Sequence, residues 1–428
     1  MSQDLQPDLI KCRRSGRDLA VELLEIILDF IPTQDVNTLS SLALTCHLFC
    51  QLARPRMFHH VTVANAHESR NFNAFRHLID TSSGVGEYIR TLQLKWFAPS
   101  RPLSTSRATR SLEISVLARM LQRLPALRRL TISDINLVSS IHDTILSDFS
   151  PIALDYLELG CLGTIPGKAS DMFDVLSLFG TVGHLVVKEL PDIACSCAVR
   201  ADSAPSGTVR RRSRSSAEYF QRMFEFHHPK LSLAVGSLDM QGMRYWPLPF
   251  LFMLKTLQVT PSVQSLTCLS ISFRGMREVV ACGELLRLCG PNLLHCNIEL
   301  MYDTIDADSP LQSDALCLSH CTALTSLSIT TEQRFNLRVD FDLYPMFLGT
   351  LSHAHIFRLE HITIPLRSWD GHGPGLDARS QWEKLRGILD RCKSLESFSL
   401  AGLSVKDSAV RGVVEAELKD CVARGILD

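Results

Sequence analysis

Residues 321–329 and 392–400 read CTALTSLSI and CKSLESFSL, and the two stretches match in the placement of their cysteine and their apolar residues. Each has an apolar residue, then two intervening residues, a second apolar residue, one intervening residue and a third apolar residue. Because successive side chains of a β-strand point to opposite faces, the last two apolar positions lie on one face of a short strand. The two stretches therefore predict two equivalent strands, with Cys321 and Cys392 in the core of the fold.

The same spacing recurs through most of the chain. The starts of its copies are separated by 38, 27, 28, 53, 31, 27, 31, 32 and 39 residues, and omission of the polar stretch 195–219 shortens the interval of 53 residues to 28. Nearly constant separations are typical of stacked repeats. The copies are Ile89/Leu92/Leu94, Leu127/Leu130/Ile132, Leu154/Leu157/Leu159, Val182/Leu185/Val187, Val235/Leu238/Met240, Leu266/Leu269/Ile271, Leu293/Cys296/Ile298, Leu324/Leu327/Ile329, a degraded Ile356/Leu359/His361, and Leu395/Phe398/Leu400.

The stretches between the predicted strands have helical periodicity, as in residues 279–289 and 381–392. A strand and a helix about every 30 residues resembles the long, helix-containing kind of leucine-rich repeat. The expected fold class is α/β, with an irregular leucine-rich-repeat-like solenoid of about ten strand–helix units over residues 89–403. Residues 65–88 and 404–428 would cover its two ends with helices.

A doubly wound α/β domain is the alternative fold, because it also alternates strands and helices. Such a domain has continuous apolar strands and glycine-rich turns at ligand-binding helix starts. The chain contains neither of these, and it has no G-x-G-x-x-G or P-loop spacing. The sequence therefore favours the solenoid.

The N-terminal segment 17–64 has a different pattern, which predicts three short helices. Apolar residues at 19, 23, 26, 27 and 30 form a helical stripe, and Pro32 and Pro55 are expected to end the first and the last helix. A unit of this size cannot bury all of its apolar side chains by itself. Part of Leu23, Ile27, Phe30, Leu39 and Phe49 should therefore be exposed unless another protein covers it.

Glu22-Leu-Leu, Ile27, Ile31-Pro32, Asp35-Val36 and the run LALTCHLFCQLARP at residues 42–55 together resemble an F-box, in the form common in mushroom-forming fungi. The resemblance implies docking on a Skp-type adaptor and, through the adaptor, on a cullin. The family usually has Leu-Pro at the start, where Ala20 replaces the proline and could weaken contact at the first turn. The other interpretation is that these leucines form the core of an ordinary helical subdomain. The adaptor-binding residues that the resemblance implies are Leu19, Leu23, Leu24, Ile27, Phe30, Ile31, Pro32, Val36, Leu39 and Phe49.

Between the two apolar positions of each predicted strand lies one residue that points away from the core. These residues form a mixed polar row that suits recognition of a protein target, although any solvated sheet face has the same composition. A further candidate is Trp369, in the glycine-containing loop 365–380, as an anchor for the target or as a side chain packed against the adjacent repeat. The row consists of Gln93, Thr131, Glu158, Val186, Asp239, Ser270, Asn297, Ser328, Glu360 and Ser399.

The insertion 195–218 is low in apolar residues and is expected to be disordered. Its Arg-Arg-x-Ser spacing makes Ser213 a candidate for phosphorylation. The same short basic run is also compatible with a weak nuclear-import or RNA-contacting patch, or with a solvated linker, so nucleic acid is not an expected partner.

The composition gives few other signals. The formal charge is −1 and 46% of the residues are hydrophobic, which gives no overall attraction to nucleic acid or membrane. Residues 1–16 are expected to be a disordered tail that is neither a secretory signal nor a transit peptide. The longest apolar stretches, such as residues 247–254, are too short to span a membrane. We therefore expect a cytoplasmic or nuclear protein.

The chain has 14 cysteines, which are scattered and should be reduced. Cys195/Cys197 and Cys317/His320/Cys321 lack a second pair at zinc-site spacing, and Asp303, Asp306 and Asp308 lack the glycine and glutamate of a calcium loop. We expect no metal and no cofactor.

No catalytic motif stands out, so the sequence predicts an interaction protein and not an enzyme. The expected function is the substrate-recognition subunit of a Skp-cullin-F-box type ubiquitin ligase. The alternative is a non-catalytic scaffold or regulatory repeat protein that binds the adaptor without delivering substrates for ubiquitination.

Overall fold

The computed structural model describes residues 20–33, 35–64, 71–82, 84–96, 111–139, 149–160, 169–188, 231–241, 247–273, 276–300, 315–331, 348–349, 351–352, 356–365, 376–401 and 408–427. Leu19, Ser213, Trp369, the tail 1–16, the insertion 195–218 and the acidic run 303–308 lie outside the described residues.

Three helices open the described chain: α1 (Val21–Asp29), α2 (Val36–Ala43) and α3 (His47–Met57). The carboxylate of Asp35 caps α2 by accepting hydrogen bonds from the backbone N–H of Thr38 at 3.1 Å and from its hydroxyl at 2.7 Å. The sequence predicted that Pro55 would end α3, but Pro55 lies inside the last turn of this helix. A proline there removes only one hydrogen bond, and the helix continues for two more residues.

These helices enclose a small core of their own. Leu24, Leu28, Leu39 and Ala53 are buried but do not belong to the continuous core of the molecule, which begins at Val63. α3 connects the two parts of the molecule, because it contacts both α1 and α2 and also α5 (Val85–Tyr88).

An eleven-stranded sheet forms the rest of the architecture, and every neighbouring pair in it is parallel. The strands lie side by side in the order in which they occur in the chain. A doubly wound domain would reverse this order at a switch point, so the sheet excludes that alternative and is compatible with a repeat solenoid. The strands are β1 (His60–Ala64), β2 (Thr91–Lys95), β4 (Arg129–Ser133), β6 (Ile152–Gly160), β7 (Phe179–Lys188), β8 (Ala234–Met240), β9 (Cys268–Phe273), β10 (His295–Leu300), β11 (Ser326–Thr331), β12 (His361–Pro365) and β13 (Ser397–Ala401).

The same pair of hydrogen bonds recurs at the start of many strands. Two consecutive backbone N–H groups donate to one carbonyl of the preceding unit. The N–H groups of Leu294 and His295 donate to the carbonyl of Thr267, and those of Thr325 and Ser326 donate to the carbonyl of Leu294. Because each unit ties its first residues to the unit before it, the register is fixed at one edge of the sheet. This recurrence supports the equivalence of the units.

Two strands differ from the sequence prediction. β1 was assigned to the N-terminal helical segment, but it pairs with β2 and is the first strand of the sheet. Phe58, which directly follows α3, and Val61 and Val63 of β1 have the repeat spacing, and the core includes Val63 and packs against the other two. The unit predicted at Ile356/Leu359/His361 lies three residues further on, at Leu359/Ile362/Ile364.

The connections between strands are less uniform than predicted. Helices on one side of the sheet share a continuous core with the inward strand residues, but β4 is followed by the short strand β5 (Asn136–Val138), which pairs with β3 (Ser111–Glu113). In the connection before β11, the described residues 315–325 contain the 3-10 turn Leu318–His320. The helices from α4 onwards are α4 (Phe72–Thr81), α5, α6 (Ile114–Gln122), α7 (Ala169–Ser177), α8 (Pro247–Gln258), α9 (Ser262–Ser265), α10 (Met276–Cys289), α11 (Leu376–Leu389), α12 (Ser408–Glu417) and α13 (Lys419–Ala423).

The last strand is covered by the C-terminal segment. Val414, Leu418 and Cys421 are buried, and the backbone N–H of Phe398 in β13 donates to the carbonyl of Ile426 at 2.6 Å. Val422, in contrast, is 45% exposed. The segment therefore closes the sheet with a short turn after α13 as well as with its helices.

The described helices include none with the length and apolar character that a membrane crossing requires.

Candidate functional site

Two surfaces of the described chain carry candidate functional residues. The first, which we call the helix surface, consists of the exposed apolar side chains of the N-terminal unit: Val21, Leu23, Ile26, Ile27, Phe30, Val36 and Leu44. The second, which we call the outer face, is the side of the eleven-stranded sheet opposite the helices.

The helix surface concentrates exposed apolar side chains in a short stretch. Its seven members are almost half of the fifteen large apolar side chains that are exposed in the described residues. Leu23, Ile27 and Phe30 lie on one stripe of α1, and Phe30 is 82% exposed. Scattered exposed leucines need no explanation, but such a cluster is typical of an interaction site.

The structure divides the predicted adaptor-binding residues into two groups. Leu23, Ile27, Phe30, Pro32 and Val36 are exposed, and Ile31 and Phe49 are half-buried. Leu24 and Leu39, however, are buried inside the unit, contrary to the exposure expected of Leu39. Their side chains stabilise the three helices and are not available to a partner.

The predicted adaptor-binding residues did not include Val21, Ile26 and Leu44, which are also exposed on the helix surface. Leu44 is 86% exposed and follows the last residue of α2. The exposure of Leu44 could have been predicted from the sequence, because an apolar residue at a helix C-terminus that lies outside the helical stripe does not face the core.

One arginine links α3 to the C-terminus of α1. The guanidinium of Arg56, in α3, donates to the carbonyl of Leu28 at 2.6 Å and to the carboxylate of Asp29, with which it forms an ion pair. These acceptors lie at the C-terminus of α1, where a cation is favoured. Arg56 thus orients the helix that carries Leu23 and Ile27.

The outer face has a central row in which one residue of each strand is aligned by register. The predicted residues all belong to it except Glu360, which lies before β12, where its backbone N–H donates to Thr325. Thr363 takes the place of Glu360 because the strand lies three residues later than predicted. The row, in strand order, is Thr62, Gln93, Thr131, Glu158, Val186, Asp239, Ser270, Asn297, Ser328, Thr363 and Ser399.

Parallel to the central row, a chain of ring and polar contacts crosses four strands. The guanidinium carbon of Arg129 lies 4.6 Å from the centre of the Tyr156 ring, and that ring is 5.5 Å from the ring of His184. His184 Nδ1 and Ser237 Oγ are 2.9 Å apart. The sequence analysis missed these residues because it considered only the central row.

Glu158 is the best-connected member of the central row. Its carboxylate accepts hydrogen bonds from the Tyr156 hydroxyl at 2.6 Å and from the Lys188 ammonium at 2.9 Å. Burial alone would raise the pKa of Glu158, but these two hydrogen bonds and the charge of Lys188 outweigh it, so its pKa is lowered. Glu158 is therefore ionised at neutral pH.

Tyr156 has the opposite shift. Burial, together with the hydrogen bond to Glu158, raises the pKa of Tyr156 to about 12. At neutral pH its hydroxyl is protonated and serves as a donor. The cluster is a stable polar network that can position charge for binding.

Polar contacts continue over the later strands. The Ser272 hydroxyl is buried and donates to Glu299 at 2.6 Å, and the Asp239 carboxylate accepts from the backbone N–H of Gln241 at 3.0 Å. The Asn297 side-chain oxygen, on the central row, is buried and has no hydrogen-bond partner among the residues that the structure describes. The outer face therefore has polar groups over its later strands as well.

The cysteines in the described residues are free thiols, and six of them are buried. Burial raises the pKa of Cys321 to about 12 and that of Cys392 to about 11. Both are core residues of their repeats, as the sequence predicted. Over the described ranges, no group of three or more His, Cys, Asp or Glu side chains is placed to hold a metal ion.

Comparison of the chain with protein-family models and with curated proteins found no match.

Proposed function

We propose that this chain is a substrate-recognition subunit of a Skp-cullin-F-box type ubiquitin ligase, in which the helix surface docks on a Skp-type adaptor and the outer face binds a protein target. The observation that carries the proposal is the exposure of Leu23, Ile27 and Phe30 on one stripe of α1. The unit has a buried core without them, so these side chains are not needed to hold the three helices together.

The energetic argument favours a partner that covers this stripe. Burial of a leucine, isoleucine or phenylalanine side chain contributes about 1.5–3 kcal/mol each. Part of this gain is offset by the cost of association, and the remainder is sufficient for a specific complex when several such side chains are covered together. Leu23, Ile27 and Phe30 are therefore the expected anchors.

The proposed function requires no chemistry from the chain itself. An adaptor on the helix surface and a target on the outer face would be held by one molecule, since α3 joins the helical unit to the sheet domain. Holding a target lysine close to a ubiquitin-charged enzyme raises its effective concentration. The chain would act by proximity and would form no covalent intermediate.

The test is recovery of the adaptor and cullin from cells that express the tagged full chain. We expect the triple variant Leu23→Asp, Ile27→Asp, Phe30→Asp to lose the adaptor, because three charges cannot enter an apolar interface. The matched control is Val280→Asp, Leu288→Asp, Phe357→Asp, which changes three exposed apolar residues outside the helical unit. The control should retain the adaptor.

Two results would count against the proposal. Equal recovery of the adaptor with both triple variants would remove the docking claim. Recovery of the adaptor without cullin, and without a ubiquitinated partner under proteasome inhibition, would favour the scaffold function instead.

A further inference from the structure

Charged side chains on the outer face are segregated by sign. Register places three outward positions on each strand, of which the central row is the middle one. The first five strands of the sheet contribute Lys95, Arg129 and Lys188 against the single acid Glu158. The last six contribute Asp239 and Glu299 and no lysine or arginine in their described outward positions. The face is therefore cationic over its first five strands and anionic over β8 to β10, and the outward positions of β11 to β13 carry no acidic or basic side chain other than His361.

The residues just before the strands show a similar gradient. Arg90 and Arg128 precede β2 and β4, whereas Glu360 and Glu396 precede β12 and β13. Asp155 occupies the equivalent position inside β6, where its backbone N–H donates to the carbonyl of Arg128, and it is an exception to the gradient. These positions lie at the edge of the sheet, where their backbone groups make the recurring hydrogen bonds between units. The gradient in sign is thus present at a second set of positions, which are not on the outer face.

Only part of this charge is neutralised within the chain. Lys188 pairs with Glu158, but no carboxylate of the described residues forms an ion pair with Arg129, which stacks on Tyr156 and is exposed. The Asp239 and Glu299 carboxylates likewise have no lysine or arginine partner there; their contacts are a backbone N–H and a serine hydroxyl. A planar guanidinium held on a ring with its donors free is suited to binding a carboxylate.

We propose that the outer face binds one segment of the target that carries both signs of charge, with acidic residues over β2 to β7 and basic residues over β8 to β10. This inference rests on the proposed function, because it specifies the target that the outer face would take. Complementary charge fixes the orientation of such a segment and disfavours partners of one sign. Nucleic acid would meet the carboxylates of Asp239 and Glu299.

The sheet geometry sets the spacing of the charges. Adjacent strands lie about 4.8 Å apart, so the five strand intervals between Arg129 on β4 and Glu299 on β10 span about 24 Å. An extended segment covers that distance with about seven residues, at about 3.3 Å per residue. The acidic and basic groups of the target should therefore be separated by about seven residues of extended chain.

The experiment measures binding of fluorescent peptides to the full chain in complex with its adaptor, at about 50 mM salt so that screening is weak. The first probe has a block of glutamates, a neutral spacer of about six residues and a block of lysines. The second has the same composition with alternating charges, and a third is uniformly acidic. We expect the two-block peptide to bind about tenfold more tightly than the alternating peptide and more tightly than the acidic one.

Variants of the protein then test the residues. Asp239→Lys with Glu299→Lys makes the face cationic throughout, so it should weaken the two-block peptide about tenfold and favour the acidic peptide. The neutral pair Asp239→Asn with Glu299→Gln should give a smaller loss. The matched control, Glu87→Lys with Asp420→Lys, has the same change in net charge at exposed helix positions and should bind as the wild type does.

Equal binding of the two-block and alternating peptides would overturn the inference, as would equal binding to the control variant and to Asp239→Lys with Glu299→Lys. Tighter binding of a nucleic acid than of the two-block peptide to the wild type would also overturn the inference. None of these substitutions is on the helix surface, and recovery of the adaptor is measured separately for each variant and is expected to be unchanged. A failure here is therefore distinguishable from a failure of the proposed function.

Discussion

Gly283 lies where α10 passes closest to the chain that leads into the next repeat. A Cβ added at Gly283 would be 2.0 Å from the backbone carbonyl oxygen of Ala315, and Gly86 in α5 has the same relation to Arg123. Neither backbone can yield without moving its helix or the following turn. At these two positions glycine is required by close approach of two backbones.

Gly283→Ala should therefore destabilise the protein by about 1–3 kcal/mol, because the inserted methyl group forces the two backbones apart. The matched control is Gly387→Ala in α11, where a Cβ would meet nothing within 4 Å. That substitution should be neutral or stabilise the protein by up to about 1 kcal/mol, since alanine is the better helix former. Urea unfolding measures both, and equal midpoints for the two variants would contradict the close approach.

Asp35 couples the N-terminus of α2 to pH. Its pKa is lowered because the Thr38 hydroxyl and then the Thr38 backbone N–H donate to the carboxylate. Because its pKa is lower in the folded state than in the unfolded state, ionised Asp35 stabilises the fold above the unfolded-state pKa of about 3.9. This stabilisation is lost as the pH falls through the folded-state pKa. Wild type should be more stable than Asp35→Ala at neutral pH, and this difference should shrink below about pH 4. Circular dichroism during unfolding at several pH values would show it, and a difference independent of pH would refute it.

At the scale of the element, α1 is the helix on which the proposed docking depends, and Arg56 contacts its C-terminus. Arg56→Ala removes hydrogen bonds to Leu28 and Asp29, and because Asp29 is largely exposed we expect a loss of only about 1 kcal/mol. Amide hydrogen exchange of α1 should become faster while that of the sheet is unchanged. Recovery of the adaptor should fall in parallel.

Arg54→Ala is the control for this prediction, because Arg54 is an exposed arginine of the same helix. Faster exchange throughout the molecule, and not in α1 alone, would show that Arg56 stabilises more than the helix surface.

The elements show what the sequence could and could not predict. Leu327 and Ile329 identify β11 without ambiguity, because both apolar positions of the repeat are filled by large aliphatic residues. At β12 the same rule matched His361 to an inward position, although Ile362 and Ile364 were the better pair, and the error moved Glu360 into the central row. At β1 the spacing of Phe58, Val61 and Val63 was present but had been assigned to the helical segment.

The candidate site was predictable only in part, for a different reason. The exposure of Leu23 and Ile27 follows from a single helical stripe, which the sequence contains. Burial of Leu24 and Leu39 depends on how three helices pack. The chain of contacts from Arg129 to Ser237 depends on the register between strands, and two of these strands, β7 and β8, pair residues that are 53 positions apart in the sequence, such as Val182 and Val235. Neither property is local in sequence.

For the molecule as a whole, the sheet must be closed after its last strand. Ile426 is buried and its carbonyl accepts from Phe398, so Ile426→Ala should lower the free energy of unfolding by about 2–4 kcal/mol. Val422→Ala, four residues earlier on an exposed side, should change it by less than about 0.5 kcal/mol. Thermal unfolding measures both, and an equal effect of the two changes would show that residues 426–427 do not seal the end.

The strand order has a consequence for how the protein is made. Each strand of the eleven-stranded sheet pairs only with the strands that precede and follow it in the order of that sheet. Its long-range contacts therefore join neighbouring units, and the contact order is low. During synthesis, the unit with which a new unit pairs has already been translated and has left the ribosome. The three helices leave the ribosome before the sheet units and enclose a core of their own, so the helix surface forms while the later units are still being translated.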